Sequence, residues 1–170
     1  MILSDWEIRA RCIGGMVENY SDELINPASL DVRLGDMLLI ESVESPAMVP
    51  YPLAGHTQDN PYLLVPGQFV LAHTVETFNL PDDIAAQFML KSSRAREGLE
   101  HLMAGYCDPG WHGSKLTMEL HNSRQLHPVA LWPEMKIGQI VFHKMSSTPH
   151  KTYAVTGRYN FDSGVTASKG

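Results

Sequence analysis

Apolar residues recur at every second position through much of this chain. Leu30, Val32 and Leu34 alternate with Asp31 and Arg33, the period of a half-buried strand. Residues 68–77, 84–90, 115–121, 129–132 and 137–144 continue the series, and Leu63-Leu64-Val65 runs into the turn pair Pro66-Gly67. Asn79-Leu80-Pro81-Asp82-Asp83 separates two of these strands. Helices are expected in two places. Ser4-Asp5-Trp6-Glu7 reads as a capping box, and the helix behind it stops at Gly14-Gly15. A second short helix falls near 92–98, between two strands. Many short strands divided by Pro, Gly, Asn and Asp turns predict a mainly β sandwich or distorted barrel. Residues 1–156 form one domain in this reading. The Gly/Ser/Thr-rich tail 157–170 is expected to be mobile without a ligand.

Composition narrows the classes of function. At 170 residues, 44% hydrophobic and 19% charged, the chain is one ordinary globular domain. No apolar run reaches the ~18 residues of a spanning helix, and the N-terminus lacks a signal-peptide apolar block. A soluble cytoplasmic protein without a membrane partner is the expectation. A net charge of −6 argues against a broad duplex nucleic-acid footprint. A phosphorylated small molecule can still bind where a few cations converge. Cys12 and Cys107 form no C-x-x-C pair, which weakens both disulfide and zinc readings. His101, His112, His121, His127, His143 and His150 show no tight metal spacing and read as surface or structural. The zinc-deaminase signature, H-x-E with a later P-C-x-x-C, is absent. Any base deamination here would therefore proceed without catalytic zinc.

Several segments carry candidate chemistry. Lys91-Ser92-Ser93-Arg94-Ala95-Arg96 follows an apolar strand. Two hydroxyls at a strand-to-helix junction form an anion cradle, with Lys91 and Arg96 as cationic donors. The same residues also read as a serine cap on a solvated basic turn. The run from Ala104 to Trp111 (AGYCDPGW) reads first as a hairpin, with Asp108 in an Asx turn and Tyr106 as a candidate aromatic wall. In Leu116-Thr117-Met118-Glu119-Leu120-His121-Asn122 the alternation puts Thr117, Glu119 and His121 on one face. Facing solvent, Glu119 is ordinary; lining a pocket, it is a general base. The tail Gly157-Arg158-Tyr159-Asn160-Phe161-Asp162 reads either as a frayed end or as a lid, with Arg158 at a phosphate.

Seven segments, in register and nearly end to end, resemble the dCTP deaminases, a family that shares its fold with the trimeric dUTPases. They are MILSDWEI at 1–8, PASLDVRLGD at 27–36, LKSSRAREGL at 90–99, AGYCDPGWHG at 104–113, LTMELHN at 116–122, LWPEMKIGQIVF at 131–142 and RYNFDSGVTASK at 158–169. The resemblance implies a distorted β-barrel or jelly-roll-like, dUTPase-type fold with short helices. It implies a homotrimer with active sites at subunit interfaces, binding dCTP or dUTP. Mg²⁺ would be held through the nucleotide phosphates, with no metal ligand from the protein. By position, Lys91, Ser92 and Ser93 would hold phosphates, with Ser92 also in the catalytic set. Glu119 matches the catalytic glutamate, Arg96 the residue that supports it, and Asp108 the acid near the deoxyribose. Ala104, Gly105, Tyr106 and Tyr153 would complete the nucleotide site, with Arg158, Tyr159 and Asp162 approaching from the tail.

The implied reaction is zinc-independent deamination at cytosine C4, coupled to triphosphate cleavage. Its products are dUMP, ammonia and pyrophosphate. The coupling rests on Gly105-Tyr106, which stands where deaminases that only deaminate tend to carry His-Arg. The alternatives are a monofunctional deaminase yielding dUTP, a dUTPase, or a non-catalytic nucleotide-binding regulator. Three departures from the family pattern bear on the choice. Asp162 replaces a tail Gln and only accepts hydrogen bonds when ionised. Lys91 replaces an Arg, losing bidentate phosphate contact. The stretch 100–103 is one residue short.

Overall fold

Two antiparallel sheets hold most of the chain in the computed structural model, which describes residues 1–170. In chain order the elements are helix α1 (Asp5–Ile13) and strands β1 (Val17–Glu18), β2 (Ile25–Asn26), β3 (Ser29–Arg33), β4 (Met37–Ser42), β5 (Ser45–Pro52), β6 (Tyr62–Leu64), β7 (Phe69–Asn79) and β8 (Ile84–Leu90). Helix α2 (Ser92–Arg96) follows, then β9 (Leu99–His101), β10 (Tyr106–Cys107), β11 (His112–Asn122), β12 (Val129–Leu131), β13 (Lys136–Lys144) and helix α3 (Tyr153–Thr156). The first sheet runs β5-β4-β7-β11-β9, with β1 also on β7; the second runs β10-β8-β13-β3-β2; β12 and β6 form a small pair. Leu30, Val32 and Phe142 of one sheet share a single core with Val70, Phe78, Met118 and Leu120 of the other. At one corner the sheets join: Leu34 bridges Thr74, and the Gly35 amide donates to the His73 carbonyl at 2.7 Å. The result is the mainly β, distorted-barrel architecture that the alternation predicts. No helix is long and apolar enough to cross a membrane.

Local chemistry explains most element boundaries. The Ser4 amide donates to Glu7 Oε2 at 2.9 Å, the reciprocal half of a capping box. Helix α1 then buries Ile8 and Cys12. Strand β8 has the bounds its alternation predicts, whereas β11 starts three residues earlier than the pattern marks. The β4–β5 hairpin is unmarked by periodicity. Met37-Leu38-Leu39-Ile40 does not alternate, and Pro46, Pro50 and Pro52 are tolerated because β5 is a sheet edge.

Two expectations need correction. Strand β3 is covered on both faces, not half-buried, because Asp31 is 3% exposed. Its Oδ1 accepts from Lys91 Nζ and Asn26 Nδ2, each at 2.7 Å. Removing one partner from a buried ion pair costs about 3–5 kcal/mol, so Asp31 and Lys91 are structurally tied. The second correction concerns 104–111, which is not a hairpin. Strand β10 pairs with β8 in one sheet, while β11 lies between β7 and β9 in the other. Asp108-Pro109-Gly110 therefore carries the chain across the barrel, closed by the Trp111 amide on the Asp108 carbonyl at 3.2 Å.

Candidate active site

Strand β11 positions the site. Along it, Ser114, Leu116, Met118, Leu120 and Asn122 are buried and alternate with half-buried Lys115, Thr117, Glu119 and His121. The buried set packs into the core. Of the half-buried set, Lys115, Thr117 and Glu119 line a cavity of about 600 Å³. Its walls include Phe69, Leu71 and Trp111, and Trp111 is fixed by stacking on Phe78 at 5.6 Å. An apolar cavity of this size with a few convergent polar groups suits a small organic ligand. His121 leaves the group, facing Glu100 with Nδ1 3.6 Å from its Oε2.

The segment that crosses between sheets supplies a second wall. Ala104, Tyr106 and Asp108 line the cavity beside Glu119. Cys107 also lines it, but burial pushes its thiol up to about 12. It therefore stands there as an apolar filler, not as a nucleophile. Gly105 is buried behind this wall, in a neighbouring cleft that Tyr106 also lines.

The tail forms the third wall. The Phe161 amide donates to the His112 carbonyl at 3.1 Å and the Lys115 amide to the Asp162 carbonyl at 2.8 Å. Thr117 Oγ1 accepts from the Thr166 amide at 3.1 Å, and Trp111 Nε1 donates to the Tyr159 carbonyl at 2.9 Å. The tail thus runs along β11 and brings Tyr159, Asp162 and Thr166 into the cavity lining, where Tyr153 joins them. Asp162 does not stand alone: Lys169 Nζ reaches its Oδ1 at 2.7 Å and lies 4.9 Å from the Tyr159 ring centre. Arg158 is exposed and outside the lining.

The sequence candidates thus fall into two groups. Glu119, Ala104, Tyr106, Asp108, Tyr153, Tyr159 and Asp162 share one cavity. Lys91, Ser92, Ser93 and Arg96 sit at α2, outside it. Arg96 does not meet Glu119 within the subunit; it is exposed and has no carboxylate partner there. The group beside Glu119 is instead His101, with Nε2 3.2 Å from Oε2 of the carboxylate. Sequence reasoning passed over His101, Lys115 and Thr117 as site residues. The alternation that singles out Glu119 also selects Lys115 and Thr117, but nothing in the sequence signals His101.

The dCTP deaminase-like family matches residues 2–145. A protein named dCTP deaminase, dUMP-forming, from Leifsonia xyli subsp. xyli is 39% identical, over 99% of this chain and 90% of that one. One of the same name from Beutenbergia cavernae is 40% identical, over 99% and 94% respectively. Among solved structures, 2'-deoxycytidine 5'-triphosphate deaminase from Agrobacterium tumefaciens has a TM-score of 0.69 at 22% identity. That match covers 84% of this chain and 48% of the longer Agrobacterium chain, and it supports the fold.

Proposed function

Because this chain belongs to the dCTP deaminase-like family, we propose that it converts dCTP to dUMP, ammonia and pyrophosphate. The carrying observation is the placement of Glu119. Its carboxylate is 26% exposed and lines the cavity, on the segment through which the relatives named as dUMP-forming dCTP deaminases align. Glu119 takes a proton from water as the water oxygen bonds to cytosine C4. That proton passes to N3. Glu119 then moves the proton of the new hydroxyl to the amino nitrogen, the C4–N bond breaks, and ammonia leaves a uracil carbonyl behind. A general base of this kind contributes about 10²–10⁴-fold in rate. A second water attacks the α-phosphorus, the bond from that phosphorus to the bridging oxygen breaks, and pyrophosphate departs. Asp108, in the same wall, orients the sugar or this water.

The phosphates need more positive charge than Lys115, the one cation lining the cavity, supplies. In this reading the chain assembles as a homotrimer. A neighbouring subunit brings Lys91, Ser92, Ser93 and Arg96 to each cavity, setting Arg96 beside Glu119. Tyr153 of α3 and the tail residues Arg158, Tyr159 and Asp162 close over the nucleotide. Mg²⁺ would arrive on the triphosphate and neutralise the leaving pyrophosphate, with the cavity carboxylate Asp108 suited to its water shell. In this reading the protein works in the cytoplasm, on the free nucleotide pool.

The test is to supply dCTP and dUTP separately with Mg²⁺ and to follow ammonia, pyrophosphate, dUTP and dUMP. Formation of dUMP from dCTP with little free dUTP is the expected result. Accumulation of dUTP would make the chain a monofunctional deaminase. Hydrolysis of dUTP with dCTP untouched would overturn the reading.

A further inference from the structure

Strand β9 ends at His101, whose side chain is turned inward and is 8% exposed. Its ring packs on Phe88 with centroids 4.7 Å apart and planes inclined at 59°. Its Nε2 lies 3.2 Å from Oε2 of Glu119. That is ion-pair range, but the two are not aligned as a hydrogen bond, and neither buried atom has another partner. An unmatched buried polar group costs about 1–3 kcal/mol, and native proteins hold few of them. Here two such atoms face each other behind the cavity lining, Glu119 on the cavity side and His101 on the side of a neighbouring cleft.

We propose that His101 is a positioning residue for Glu119; the inference rests on the deamination reading above. A glutamate has three side-chain torsions, and the walls around this one are largely apolar. Proton transfer requires a carboxylate oxygen held within hydrogen-bond reach of the attacking water. An Nε2–H of His101 fixes Oε2 by closing the remaining misalignment, and it leaves Oε1 to take the proton. The two groups need a proton between them, because a bare Nε2 repels an ionised carboxylate. His101 does not line the cavity. It lines a separate cleft of about 330 Å³, with Phe88 and Gly105. Glu119 therefore stands between His101 and any substrate. The effect of His101 belongs in kcat, not in nucleotide binding.

Two substitutions separate positioning from packing. His101→Phe keeps a ring against Phe88 and removes the donor. His101→Gln places an amide N–H near the Nε2 position. With dCTP, the Phe variant is expected to lose about 100-fold in kcat, the scale of a misplaced catalytic group. Its KM should stay within about twofold, since uniform binding is untouched. The Gln variant should recover most of kcat. A readout independent of turnover is the ¹³C-carboxyl signal of Glu119, assigned by its loss in Glu119→Gln. It should move in the Phe variant while the melting temperature holds. Parental kcat in a folded Phe variant, or equal losses in the Phe and Gln variants, would overturn the proposal. If the parent releases no ammonia from dCTP, the deaminase reading fails on its own account. The carboxyl signal then decides for His101, and an unmoved signal overturns its role.

Discussion

The cavity over β11 and the basic turn at α2 differ in charge, in cover and in anchorage. The cavity is walled by apolar side chains and carries three carboxylates, Asp108, Glu119 and Asp162, against one ammonium, Lys115. The turn is exposed at Ser92, Ser93 and Arg96 and holds three cations within six residues. Two of these are occupied: Lys91 on Asp31 at 2.7 Å, and Arg94 on Glu97 at 2.7 Å. Arg96 has no such partner. Like charges about 4 Å apart repel by about 4 kcal/mol at an effective dielectric of 20, so a triphosphate placed among the cavity's acids alone would be unstable. The turn, for its part, presents exposed hydroxyls and one unpaired guanidinium, groups that suit phosphate oxygens. One region suits the reacting base and the other its phosphates, and in a single subunit they stay apart.

The largest expected effect comes from disabling the cavity alone. Glu119→Gln should lower ammonia release from dCTP by about 10³-fold while leaving nucleotide binding measurable by calorimetry. Normal turnover in that variant would remove the chemical half of the contrast. The next test asks whether the two regions meet between subunits. Glu119→Gln and Arg96→Ala should each be inactive. Mixed equally and allowed to exchange subunits, they should regain about a quarter of parental activity, because a symmetric oligomer then contains that share of intact sites. No recovery after verified exchange would mean that both regions serve one subunit. A smaller effect belongs to the tail. Lys169→Ala should raise KM for dCTP by up to about fivefold, the reach of a partly exposed ion pair, with kcat little changed. The smallest is a control far from both regions. The Ser4 amide and hydroxyl hold the Glu7 carboxyl below its usual range. Its stabilisation is thus present above the unfolded value of about 4.3 and is lost as pH falls through the folded value. Glu7→Gln should lower the urea midpoint at pH 7, and the gap from the parent should close at low pH with dCTP turnover at pH 7 unaffected.

How far these two regions could be read from the sequence follows from the range of the forces that build them. Strand β8 and helix α1 were legible because alternation and capping act within a few residues. The crossing at Asp108-Pro109-Gly110 was misread because turn chemistry sets a local direction but does not choose the strand that follows. Asp31 falls on the polar side of an alternating strand, and nothing in the sequence marks Glu76 as buried. Each is buried because a distant cation meets it: Lys91 for Asp31 and Arg33 for Glu76, the latter at 2.8 Å. Burial pushes the Glu76 carboxyl above its usual range, and the hydrogen bonds from Arg33 oppose the shift only in part. The cavity residues of β11 were visible as one strand face, and ordered motifs identified Glu119 among them. His101 was not visible, since only the β9–β11 pairing brings its ring to the carboxylate. The contact expected between Arg96 and Glu119 is missing from the subunit: Arg96 is exposed at α2, and the carboxylate meets His101 of β9 instead.

Gly105 lies pressed between Phe88 and His101. A Cβ added there would fall 2.7 Å from the Cβ of Phe88 and 3.2 Å from Cε1 of His101. Any larger residue must push the crossing segment off β8 before it can present a side chain to the cavity. A lineage exchanging Gly105 for a bulky polar residue therefore has no smooth single-step route. It needs a prior change at Phe88 or in the length of 100–103, so substitutions at 105 should be inherited together with their neighbours rather than one at a time.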